Sequence, residues 1–329
     1  MERPRNHLQV VKHEKTLLPI EEELLALVKA SVEQKIGSKI SQCLKHYVHP
    51  IYDCYLIVSE NKPYLLKINL SPDMPNFWQD LWSNNFSFHP KIICHSSESD
   101  EFNYICFEIP SGRFLSDISN YPLSPKLNLH RTFAKSISQM HSVKLGSADN
   151  TINTFNSLLP RESMMVFKTY PVVDLFASAK AVFRQEYKDN INHCGLAHFD
   201  LSLDNIIYTG DNFKFVNFEY AANANIYLDI WLAKQTLNCS DSVFDSFVDL
   251  LPKEKAKVLY QYKEQSRLFN FAYFNSKIIS EYITFGIKNP SKLKYWINQS
   301  EACYEDISNK LFVSKTLDKL IRDFYYLWK

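Results

Sequence analysis

The stretch HCGLAHFDLSLDNIIYTGDNFKFVNFEYAANANIYLDIW, residues 193–231, decides how this chain is read. Asp200 and Asn205 sit on a short polar segment between two apolar runs, Gly195 to Ala197 and Ile206 to Tyr208, which describes a loop held by buried flanks. A second polar loop, presenting Asn217 and Glu219, follows the strand-like Phe213 to Val216. Consecutive hairpin strands would carry the two loops, so that a carboxylate and an amide of the first face an amide and a carboxylate of the second.

That set of side chains has a recognisable use. Phosphoryl transfer from a nucleotide needs a carboxylate near the acceptor hydroxyl and oxygen ligands for one or two Mg²⁺ ions, because positioning and charge neutralisation supply most of the rate. Magnesium takes hard oxygen donors, usually one or two carboxylates with phosphates and water. The spacing His198-x-Asp200-x4-Asn205, with an acidic residue on a neighbouring loop, offers those parts.

His198-Phe-Asp200-Leu-Ser-Leu-Asp204-Asn205, then Asn217-Phe-Glu219-Tyr-Ala, then Leu228-Asp229-Ile230, resembles the aminoglycoside phosphotransferase and choline kinase family, small-molecule kinases with a protein-kinase-like fold. The resemblance spans residues 55–231 in outline and is most specific between His198 and Asp229. It implies an α+β, two-lobed architecture: an N-terminal antiparallel sheet lobe over residues 1–109 and a larger, mainly helical lobe over residues 110–329. It further implies Asp200 as the catalytic base, Asn205 as a metal ligand, His198 as a packing residue of the loop, and Asp229 as the buried acid that braces that loop through its backbone amides.

Two departures matter. Asn217 stands where the family has its second metal-binding aspartate, and an amide oxygen brings no negative charge to a cation. Glu219, two residues on, is the residue that could restore it. The family's catalytic-loop glycine is absent, with Phe199 after the histidine and Asp204 before Asn205. A catalytically silent, nucleotide- or partner-binding pseudokinase of the same fold is therefore the alternative to an active enzyme.

Composition narrows the classes. A chain of 329 residues exceeds one ordinary core. Its 46% hydrophobic and 22% charged residues are those of a folded globular protein. Lys+Arg 37 against Asp+Glu 36 gives no electrostatic case for nucleic acid or a membrane surface. No apolar stretch approaches the ~20 residues that span a bilayer, and residues 1–15 lack an apolar signal core, so a cytoplasmic location is expected. Seven cysteines without a CxxC are read as small buried hydrophobes in a reducing compartment.

In the N-terminal third, residues 40–70 alternate as strands, with a turn at Asn61 to Pro63. Lys67 lies among Leu65, Leu66 and Ile68, where a lysine costs desolvation unless it is paired or aimed at a ligand. With a catalytic-loop motif downstream, it is expected to grip nucleotide phosphates. The turn before it, His49-Pro-Ile-Tyr-Asp53, has no glycine and offers few backbone N–H groups to a phosphate. The resemblance points to an acidic partner for Lys67 on a helix over residues 77–85, where Asp80 is the candidate. Strands are expected at residues 90–94 and 104–109, and Phe107 to Ile109 resemble the hinge whose backbone holds an adenine.

Beyond Gly112 the periodicity is helical: residues 127–143, ending in Met140-His141, then 172–190, 241–251, 255–284 and 291–328, with residues 150–160 expected to be a loop. His141 is read as a satisfied structural histidine. Trp231, Tyr262, Phe269, Phe271, Tyr273, Phe274 and Trp296 are expected mostly as core, and a minority could wall an acceptor pocket suited to a quaternary ammonium group. Asp204, Glu219 and Asp241 would suit a polycationic aminoglycoside equally. The expected function is ATP- or GTP-dependent, Mg²⁺-dependent transfer to the hydroxyl of a small acceptor: an amino-alcohol, an aminoglycoside or a sugar-like molecule.

Overall fold

Pro19, with its ring-fixed φ, opens the first helix, α1 (Pro19–Ile36). The computed structural model describes residues 19–49, 52–69, 86–96, 103–118, 129–144, 149–157, 181, 183–185, 187, 190–218, 220–237, 239–249, 251, 253–285, 294–300 and 302–303. Gly37, at φ 74, ends α1 in the left-handed conformation that glycine adopts without cost, and its N–H returns to the Glu33 carbonyl at 2.9 Å. The chain divides into two units, Met1–Ser111 and Gly112–Lys329.

The first unit is an antiparallel sheet of five strands in the order β1-β2-β3-β5-β4: β1 (Ile40–His49), β2 (Tyr52–Ser59), β3 (Lys62–Asn69), β4 (Ile92–His95) and β5 (Asn103–Glu108). Glu60 and Asn61, at φ 49 and 62, form the two-residue β2–β3 turn, whose backbone twist matches that of the flanking strands. Alternation sorts the side chains. Tyr55, Ile57, Leu66, Ile68, Tyr104 and Cys106 pack with Val28 and Val32 of α1, while Lys67 points to the opposite face.

In the second unit β6 (Arg113–Phe114), β8 (Ile206–Tyr208) and β9 (Phe213–Phe215) form one small sheet, and β7 (Cys194–Ala197) pairs with β10 (Ala222–Asn225) in another. Around them lie α2 (Leu129–His141), α3 (Thr151–Ser157), α4 (Ile226–Thr236), α5 (Asp241–Val248), α6 (Lys253–Gln261) and α7 (Lys263–Phe285). Phe133 of α2 meets Phe213 and Phe215 edge-on at 5.3 and 6.1 Å, which fixes the β8–β9 hairpin against the helix.

Three expectations need correction. Within the span 150–160 expected to be a loop, Thr151–Ser157 is helical: α3 forms because Asp149 Oδ1 accepts the Thr151 N–H at 2.8 Å and the Asn150 carbonyl accepts the Thr154 N–H at 2.8 Å. The helix expected over residues 255–284 breaks at Tyr262, where α6 gives way to α7. The strand β10 was not foreseen, because Ala-Asn-Ala-Asn has low strand propensity; pairing with β7 holds it.

The seven cysteines are thiols outside any disulfide, five of them buried. Among the described residues no helix is long and apolar enough to cross a membrane.

Candidate active site

β7 delivers the loop that carries Asp200. A Cβ at Gly195 would lie 2.2 Å from the His141 carbonyl oxygen, so only glycine lets β7 run this close to the end of α2. That approach brings His141 to Asp229, whose Oδ2 is 2.9 Å from His141 Nε2. Asp229 is fully buried in the first turn of α4, where the helix dipole favours a carboxylate. Its Oδ2 also accepts the His198 N–H at 2.9 Å, and its Oδ1 accepts the Phe199 N–H at 2.8 Å. The carboxylate thus satisfies three buried donors at once.

His198 is locked from the other side. Its Nε2 lies 3.0 Å from the Val216 carbonyl and therefore carries the proton, while Nδ1 accepts the Asp200 N–H at 3.1 Å. The ring packs 4.4 Å from Phe218. Phe199, at φ 54, adopts a left-handed backbone that costs energy for a bulky residue. Its amide is tied to Asp229 and its ring rests 4.6 Å from Phe269 of α7.

Beyond Phe199 the loop turns back on itself. The Asp200 carbonyl accepts the Ser202 N–H at 2.8 Å and Asn205 Nδ2 at 2.8 Å, so Asn205 clasps the loop that bears the carboxylate. Asn205 Oδ1 in turn accepts Asn217 Nδ2 at 2.7 Å, joining the two polar loops. Asn217 sits at φ 63, a conformation asparagine tolerates well.

Asp200 is buried, and its carboxylate meets two donors from one face of α7. Oδ1 accepts the Tyr273 hydroxyl, and Oδ2 lies 2.8 Å from Lys277 Nζ. Burial first, and the Asp200 charge second, hold the Tyr273 phenol well above its ordinary value, so it stays a donor. A carboxylate has about four lone-pair sites, which leaves two for an incoming hydroxyl.

Asp200, Asn205, Asn217, His198 and Asp229 therefore form one hydrogen-bonded assembly. Lys67, Phe107 and Ile109 belong to the first unit. Lys67 is 7% exposed, its Nζ 5.9 Å from the centre of the Phe107 ring. Phe107 lies inside β5 in register with Leu65 and Ile92, whereas Ile109 is past the strand end. Asp53 does not stand free beside the β1–β2 turn, because it pairs with Lys45 at 3.0 Å. Asp80 and Glu219 lie outside the described residues.

His141 is the satisfied structural histidine expected, and the group it bonds is the acid that fixes the loop. Two contributors escaped the sequence reading. Tyr273 was grouped with the core aromatics, and Lys277 was not singled out. Their i, i+4 spacing on α7 was the available signal.

The described donors alone do not fit a magnesium ion. They are two neutral amides, of which Asn205 Oδ1 already accepts from Asn217, and the loop's carboxylate Asp200 is engaged by Lys277 and Tyr273. Among the described residues no group of three or more His, Cys, Asp or Glu is placed to hold a metal.

No protein-family model and no curated protein sequence matches the chain significantly. Solved structures do. A spectinomycin phosphotransferase, in complex with ADP and spectinomycin, matches 84% of this chain and 93% of its own at 11% identity and a TM-score of 0.55. An ethanolamine kinase from Plasmodium vivax matches 81% of each chain at 16% identity, TM-score 0.52. A choline/ethanolamine kinase family protein from Mesorhizobium loti matches 91% of this chain and 98% of its own at 8% identity, TM-score 0.53. The chain has the fold these proteins share.

Proposed function

We propose that this protein transfers a phosphoryl group from ATP or GTP to the hydroxyl of a small molecule, with Asp200 accepting or orienting that hydroxyl. The observation that carries the reading is the rigid presentation of Asp200. Asp229, His198 and Asn205 hold the backbone on either side of it, and two donors on α7 fix the carboxylate. Lys277 and Tyr273 occupy part of the Asp200 carboxylate. Phosphoryl transfer tolerates this, because its loose transition state asks for positioning more than for proton abstraction. Lys67 is the proposed phosphate ligand of the first unit, with Ile109 offering backbone to the base of the nucleotide. The charge that would retain an accompanying magnesium ion falls to the nucleotide's own phosphates and to Glu219.

A second reading, nucleotide binding without transfer, is favoured by one observation: Asn217 turns its amide N–H, not an oxygen, toward Asn205. One experiment separates the two. The chain is incubated with γ-labelled ATP or GTP and pooled amino-alcohols, sugars, nucleosides and aminoglycosides, beside Asp200→Asn. The transferase reading expects labelled product from the parent and a loss of about 10²–10⁴-fold in the variant. Equal transfer by both would remove Asp200 from its role. Thermal stabilisation by ATP, about 2.7 kcal/mol at a hundredfold excess over Kd, with no product in any pool would establish the second reading.

A further inference from the structure

We infer that Lys277 fills, from within the chain, the place a cationic acceptor would occupy, so that the acceptor of this protein is a hydroxylated molecule without a positive charge. The word acceptor rests on the phosphotransferase reading; the occupied cation site does not.

An ammonium group is recognised by a carboxylate with aromatic faces around it. That arrangement exists here beside Asp200. The Lys277 Nζ lies 2.8 Å from Asp200 Oδ2, 5.0 Å from the centre of the Tyr220 ring and 5.3 Å from that of Tyr273. The Lys277 side chain is 20% exposed and that of Asp200 7%, so the pair is largely withdrawn from water. Attraction to the rings and to the carboxylate is stronger there than at the surface.

The holder of the site is covalently part of α7, one turn beyond Tyr273. It needs no translational freedom to be lost when it occupies the cage, whereas a diffusing amine does. A second ammonium brought beside Asp200 would face Lys277 at close range, and like charges in a site shielded from solvent repel strongly. Displacing Lys277 instead would strip a half-buried ammonium of its partner. The neighbours of known structure include an ethanolamine kinase and a choline/ethanolamine kinase family protein, so the same fold serves proteins named for amino-alcohols. In this chain an ammonium is supplied internally beside Asp200. A neutral polyol, or a hydroxy compound bearing an anion that Lys277 can meet, is compatible with the cage.

The test is equilibrium binding of choline and of tetramethylammonium to the full chain by calorimetry, for the parent, Lys277→Met and Lys277→Arg, alongside the transfer screen sorted by acceptor charge. Lys277→Met keeps the length of the side chain without its charge, and Lys277→Arg keeps the charge. The expected result is at least about tenfold tighter cation binding by Lys277→Met than by the parent, no gain in Lys277→Arg, and product only from uncharged or anionic acceptors. Choline bound as tightly by the parent as by Lys277→Met, no gain in a Lys277→Met variant that melts cooperatively, or phosphorylated choline or aminoglycoside from the parent would each overturn the inference. Should Lys277→Met not fold, the parent decides alone: cation binding overturns the inference, and its absence beside a phosphorylated polyol supports it. Failure of all transfer would dispose of the phosphotransferase reading, while the binding arms still decide who occupies the cage.

Discussion

Replacing Asp229 by alanine removes the one group that satisfies three buried donors: the N–H of His198, the N–H of Phe199 and His141 Nε2. Each buried donor left without a partner costs about 1–3 kcal/mol, and water entering the vacated space recovers part of that, so a net loss of about 3–5 kcal/mol is expected. The loss is local first. Phe199 is held at φ 54 by its bond to Asp229 Oδ1, and with that bond gone its backbone relaxes toward negative φ and carries Asp200 with it. Amide hydrogen exchange resolves the effect residue by residue. The His198 and Phe199 amides are protected in the parent and should exchange about 10²–10³-fold faster in Asp229→Ala, the rate ratio that corresponds to about 3–4 kcal/mol. Asp229→Asn keeps the volume and one acceptor oxygen but sets an amide N–H against a backbone donor, so it should fall between the two. Unchanged protection at both amides in Asp229→Ala would refute the claim that this carboxylate holds the loop.

Asn217→Asp adds a carboxylate to a pair of neutral amides and should increase the magnesium dependence of ATP stabilisation in a thermal-shift titration, whereas Glu219→Gln should weaken the magnesium response more than Asn217→Ala, since only the former removes a charge. Gly195→Ala places a methyl 2.2 Å from the His141 carbonyl and should lower stability by about 1–3 kcal/mol or more, seen as an earlier urea midpoint; Gly210→Ala meets open space, so its cost is the backbone strain of alanine at φ 99. Burial holds the His193 imidazole below its ordinary value of 6.5. The unfolded chain takes up that proton more readily, so the contribution is complete above 6.5 and lost as the pH falls through the lower folded value. Urea midpoints between about pH 5 and 8 should therefore decline on the acid side, and less so in His193→Gln.

What the sequence disclosed follows from what each element depends on. β7 and β8 are apolar runs bounded by polar residues and β9 alternates Phe-Lys-Phe, so local signals sufficed. β10 is strand only because β7 lies beside it, and α3 depends on the Asp149 side chain and the Asn150 carbonyl at its start. Asp200, Asn205 and Asp229 stood out because a loop motif fixes their spacing. Lys277 did not, because its partner is 77 residues distant and nothing in the local text of α7 distinguishes an inward lysine from a solvated one. The aromatic residues carried the reverse ambiguity. Trp231, Tyr262, Phe269, Phe271, Tyr273, Phe274 and Trp296 are all buried, and it is Tyr220, not previously singled out, that joins Tyr273 around a cation.

Among the described residues, four with side chains, Glu60, Asn61, Phe199 and Asn217, take backbone angles usually reserved for glycine, in a chain that has only 6 glycines. Two of them lie in the loops that present Asp200 and Asn217. A loop built on glycine bends cheaply in both directions, whereas one built on phenylalanine must lift a ring off Phe269 before its peptide planes can turn. The chemistry is thus displayed on stiff joints, and adaptation to differently shaped molecules has to come from the residues that surround them.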